Sequence, residues 1–85
     1  MKRFSYTITD ELGIHARPAG LLAKRASEFK STVSLEANGK QGNAKQILSV
    51  MLLAVKQGQK VEFSVEGEDE EQAAAALLSF MEENL

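Results

Sequence analysis

At 85 residues and a net charge of −2, the chain has room for one compact domain, residues 1–85, and none for a second. Hydrophobic residues make up 44%, but 11 of them are alanine; the larger ones suffice for a small layered core and not for walls around a deep substrate cavity. The absence of cysteine excludes disulfides, thiolate nucleophiles and sulfur-bound zinc, and a single histidine leaves little else for a metal. No metal and no cofactor are expected.

In chain order, Phe4, Tyr6 and Ile8 alternate with Arg3, Ser5 and Thr7, which reads as a strand with one buried face. Asp10 to Gly13 breaks the pattern. From Ala16 to Phe29 the small and apolar residues Ala16, Ala19, Leu22, Ala23, Ala26 and Phe29 fall near helical spacing, with Lys24, Arg25 and Glu28 on other faces. Val33, Leu35 and Ala37 alternate again, and Asn38-Gly39 signals a tight hairpin into a short strand over 40–43. Ile47, Leu48, Met51 and Leu52 fit a short helix; because such a helix must bury one face, about half of the trio Ile47, Met51 and Leu52 is expected in the core. Val61, Phe63 and Val65 alternate in a fourth strand ended by Gly67, and 69–83 forms a last helix with acids in its first turn. The order β-α-β-β-α-β-α, with one polar face on each strand, predicts an α+β fold. It is an open-faced two-layer sandwich, a mainly antiparallel four-stranded sheet covered on one side by three helices.

Charge is unevenly spread: residues 1–60 carry +6 and residues 61–85 carry −8, with no basic residue in the latter. The basic part lacks the dense Lys/Arg clusters and interleaved aromatics of a nucleic-acid binder, so acidic proteins or a phosphate group are the expected targets. The partner-facing surface is expected within the first 60 residues, with the C-terminal helix turned away behind the sheet or along its far edge. The first strand begins directly, without a leader pattern, and no apolar run of about 18 residues occurs, so a cytoplasmic protein is expected.

One segment is equipped for chemistry: Gly13-Ile14-His15-Ala16-Arg17-Pro18-Ala19. Histidine is the side chain that titrates near neutrality, and His15 falls at a helix start, where unpaired N–H groups and the helix dipole favour an anion. Pro18 is tolerated in a first turn that lacks intrahelical acceptors. Arg17 adds a permanent charge and a planar fork of donors suited to phosphate oxygens. Without a Gly-rich phosphate loop or acidic magnesium ligands, a nucleotide is not the expected donor.

This string, the hairpin at Asn38-Gly39-Lys40, the helix beginning near Lys45 and Gly67-Glu68-Asp69-Glu70 before the last helix resemble the HPr family. These are the histidine-containing phosphocarriers of the bacterial phosphoenolpyruvate:sugar phosphotransferase system. The resemblance implies that His15 accepts a phosphoryl group, on Nδ1, from phosphorylated enzyme I and passes it to enzyme IIA domains. In that role the chain is a substrate of its partners and not an enzyme, steadied by Arg17 and by the backbone N–H groups of Ala16 and Arg17. It implies a monomer without membrane insertion. Its docking surface would comprise Ala16, Gly20, Leu21, Lys24, Ile47, Leu48, Met51 and Leu52. The alternative is a regulatory adaptor using the same surface without bulk phosphoryl flux. Many relatives from Gram-positive bacteria carry a regulatory serine where this chain has Gln46, which has no hydroxyl; Ser27, Ser31 and Ser49 do not match that motif.

Overall fold

The computed structural model describes all residues from Met1 to Leu85. Strands β1 (Lys2–Thr7), β2 (Thr32–Ala37), β3 (Lys40–Asn43) and β4 (Lys60–Glu66) alternate with helices α1 (Ala16–Ala26), α2 (Ile47–Met51) and α3 (Glu70–Asn84). The sheet runs β1-β4-β2-β3 and is antiparallel throughout. Helix α3 packs on β1 and β4, α2 on β3, and α1 against both other helices. All three lie on one face, as the single polar face of each strand requires.

The core is one cluster to which every element except β1 and β3 contributes a fully buried residue, among them Leu22, Val33, Leu35, Val50, Val61, Phe63, Val65, Leu77 and Met81. Phe4 on β1 is half-buried and stacks on Phe63 of its neighbour with ring centroids 4.7 Å apart. The β2–β3 turn places Asn38 and Gly39 at φ 55° and 75°, the two left-handed residues that a two-residue hairpin needs to match strand twist.

Two expectations are corrected. Helix α1 ends at Ala26 rather than Phe29: the N–H groups of Glu28 and Phe29 turn to Arg25 and Ala26, three residues back, tightening the chain out of the helix. Phe29 instead packs against the core, with the Arg25 guanidinium 5.2 Å from its ring centroid. In α2 none of Ile47, Met51 and Leu52 is core; they are 45%, 38% and 70% exposed, and Leu48 is 74% exposed. Val50, Leu53 and Val55 carry the burial, a demand met by one helical residue and the two that follow as the chain leaves the helix.

Candidate functional site

His15 is the N-cap of α1, extended at φ −105° and ψ −174°, and its ring makes no capping hydrogen bond. Its carbonyl accepts the first intrahelical bond, from Ala19 N–H at 3.0 Å. The N–H groups of Ala16 and Arg17 have no acceptor, and Pro18 has none to offer. A half-exposed ring thus sits at a helix end whose free donors and dipole face solvent. The Arg17 guanidinium is exposed and forms neither ion pair nor hydrogen bond.

The approach to this cap is fixed from two sides. Asp10 starts a turn in which its Oδ1 accepts from Leu12 N–H at 2.8 Å and its carbonyl from Gly13 N–H at 3.0 Å. Gly13 then passes against the segment after α2 at φ 68°; a Cβ there would overlap the Val55 carbonyl oxygen and come within 2.8 Å of the Lys56 Cα. Only glycine combines that conformation with that clearance. The next N–H, of Ile14, donates to Val55 O at 3.0 Å, and the Ile14 side chain is buried.

His15 and Arg17 line a shallow depression of about 210 Å³ together with Asp10, Pro18, Leu21, Glu83 and Asn84. The last two overturn the expectation that the C-terminal helix turns away from the site. The end of α3 is tied to the loop after β1, where the backbone oxygen of Leu85 accepts from the N–H groups of Thr9 at 2.6 Å and Asp10 at 3.0 Å and from Thr9 Oγ1 at 2.8 Å. This arrangement is tertiary and leaves no trace in local sequence, where Asp10 to Gly13 reads only as a break after the first strand.

Of the other surface residues, Gly20, Lys24, Ile47 and Leu48 line a second groove between α1 and α2 with Lys45 and Gln46. A Cβ at Gly20 would be 3.8 Å from Ile47 Cδ1, so the two helices approach closely there. Leu21 belongs to the depression, and Ala16 is exposed beside it. Met51 and Leu52 line neither concavity and extend an exposed apolar strip along α2. Gln46 is the exposed N-cap of α2, and its side chain makes no capping bond. Lys45 donates from Nζ to the Phe29 carbonyl at 2.9 Å and bridges the end of α1 to α2.

The family model described as the PTS HPr component phosphorylation site matches residues 2–83. Phosphocarrier protein HPr of Mycoplasma capricolum is 47% identical over 81 residues, covering 95% of this chain and 91% of that protein. A solved mycoplasma histidine-containing phosphocarrier superposes with TM-score 0.93 at 45% identity, over 96% of this chain and 93% of its own. A dimeric HPr from Thermoanaerobacter tengcongensis aligns with TM-score 0.77 at 43% identity, over 98% and 95% of the two chains.

Proposed function

Because this chain belongs to the PTS-HPr family, whose members are carriers rather than catalysts, we propose that it relays a phosphoryl group through His15 from phosphorylated enzyme I to enzyme IIA domains. The observation that carries the reading is the His15 ring, unengaged at the N-cap of α1 beside two N–H groups without acceptors and an unpaired Arg17. A ring nitrogen of His15 attacks the phosphorus carried by phosphorylated enzyme I. The new P–N bond forms as the bond from phosphorus to the donor breaks and its electron pair stays with the donor; in the second transfer the His15 P–N bond breaks in the same way as the acceptor's bond to phosphorus forms. Charge spreads over the phosphoryl oxygens at the midpoint, and the Ala16 and Arg17 N–H groups with the guanidinium are donors in position to stabilise it.

Residues 1–85 act as one carrier domain in the cytoplasm, and no helix is long and apolar enough to cross a membrane. Transfer at an exposed ring suits a monomer that meets each partner in turn through Ala16, Gly20, Leu21 and Lys24 and the apolar strip Ile47, Leu48, Met51 and Leu52. Gln46 removes serine regulation at the head of α2. The test is incubation with phosphoenolpyruvate and enzyme I followed by intact mass. An acid-labile phosphoryl adduct on the native chain that is absent from a folded His15→Ala variant is expected; no adduct, or one retained by the variant, overturns the reading.

A further inference from the structure

We infer that Asn38, in the hairpin turn between β2 and β3, is a positioning residue for His15, an inference that rests on the carrier reading above. Its side chain leaves the turn and donates from Nδ2 to the carbonyls of Leu53 at 2.9 Å and Ala54 at 3.3 Å and to Gln59 Oε1 at 3.2 Å. Gln59 Oε1 also accepts from the Lys56 N–H at 2.8 Å. Two side chains thus grip the segment 53–56 from both ends. Three oxygens surround one amide nitrogen, so these contacts require a donor and would repel an oxygen in its place. The turn itself accepts asparagine, aspartate or glycine at a left-handed position. Of these only asparagine donates, which makes the amide a demand of the segment after α2 and not of the hairpin.

The gripped segment is strained, and it supports the site. Ala54 stands at φ 53°, a conformation that alanine keeps only where its surroundings hold it, and the Asn38 amide bonds the carbonyls just before and just after its Cα. The next carbonyl, of Val55, accepts the Ile14 N–H at 3.0 Å, and Gly13 passes against that same oxygen and the Lys56 Cα. His15 follows directly. Its ring makes no capping hydrogen bond, so the backbone aims it: α1 on one side, the Ile14–Val55 bond on the other. Without the Asn38 amide, Ala54 is free to relax toward negative φ, which turns the Val55 carbonyl and slackens the chain entering the cap. A shift of about 1 Å at a reacting group can cost about 100-fold in rate. The docking side chains on α2 precede the gripped segment and are held by helical bonds, so positioning and docking separate in the kinetics.

The test is single-turnover charging by phosphorylated enzyme I, at a temperature where every variant is folded, together with amide hydrogen exchange at Ile14. Asn38→Gly and Asn38→Asp keep a residue suited to the turn and lose the donor; Val65→Ala, a core truncation at the other end of β4, is the control for lost stability alone. Both Asn38 variants should lower the maximal charging rate about 3- to 30-fold with the half-saturating donor concentration within twofold, and should speed Ile14 exchange about 5- to 50-fold. Val65→Ala should lower Tm and leave the maximal rate and Ile14 exchange as in the wild type. A wild-type maximal rate in either Asn38 variant, a loss that Val65→Ala reproduces, or unaltered Ile14 exchange overturns the inference while leaving the carrier reading intact. Failure of the wild type to charge overturns the carrier reading and this inference with it.

Discussion

The Ser31 hydroxyl donates to Asp69 Oδ1 at 2.5 Å across 38 positions of sequence, and the same carboxylate accepts the N–H groups of Ser31 at 3.0 Å and Lys30 at 2.9 Å. Asp69 is the N-cap of α3 yet makes no side-chain cap bond to its own helix; its carboxylate instead clamps the helix to the loop entering β2. Gly67 allows this, since a Cβ there would come within 2.6 Å of the Ser31 Cα. The Ser31 hydroxyl first, then the Lys30 N–H, hold the Asp69 carboxyl below its ordinary value of 3.8.

A group with a depressed folded pKa contributes stability that is complete above its unfolded value and lost as pH falls through the folded one. Asp69→Asn should therefore lower Tm by a few degrees at neutral pH, with the gap to wild type closing below about pH 3.8. Melts from pH 7 to pH 2 check it; a gap independent of pH would show that the charge is immaterial to the clamp.

Ala54 sits at φ 53° where the chain leaves α2. An L-residue with a Cβ pays about 1–2 kcal/mol there, against roughly 0.4–1 kcal/mol of extra unfolded-state entropy for glycine. Because Ala54 is exposed, its methyl contributes little packing. Ala54→Gly should stabilise the chain by about 0.5–1 kcal/mol, read as a higher urea midpoint at constant m-value.

Arg17→Ala should slow charging about 10- to 150-fold without abolishing it, since the N–H groups at the cap remain when a charge-assisted pair is removed. Arg17→Lys should recover only part, keeping the charge without the fork. Rapid-quench rates with saturating donor distinguish these outcomes; an alanine variant as fast as wild type would make the guanidinium a bystander.

Glu83 beside His15 changes the electrostatic expectation for the acidic end of the chain. Glu83→Gln should lower the KM for a phosphorylated donor about 1.5- to 5-fold, Lys24→Glu should raise it by a similar factor, and Glu66→Gln on the outer sheet face should leave it unchanged. All of these effects should shrink with added salt, since exposed charges are screened over about 8 Å at physiological ionic strength. Equal effects from all three, or no salt dependence, would assign recognition to the apolar strip on α2.

The strands were legible because period-two alternation translates directly into faces of a sheet, and the hairpin because Asn38-Gly39 has few other uses. His15 and Arg17 stood out by residue type and by the helix start around them. What escaped depends on contacts between distant segments. The burial of Val50, Leu53 and Val55 in place of Ile47 and Met51 follows from how the end of α2 meets β3 and the core. The arrival of Glu83 and Asn84 at the depression follows from the Leu85 bonds to Thr9 and Asp10. Neither has a local periodicity to announce it.

The placement of β4 between β1 and β2 bears on how the chain is made. Strand β1 has no partner except β4, and its first residue pairs with Val65. During synthesis at about 5–20 residues per second, β1 therefore waits seconds for the strand that will hold it. The hairpin of β2 and β3 can close meanwhile, its ends being only a two-residue turn apart. The loop that presents His15 gains one support, from Val55, shortly before β4 is made, and the other, from Leu85, only after α3. A nascent chain displays His15 early but completes the supports of its loop only once its last helix has docked, so a partner that reads that geometry would pass over chains still folding.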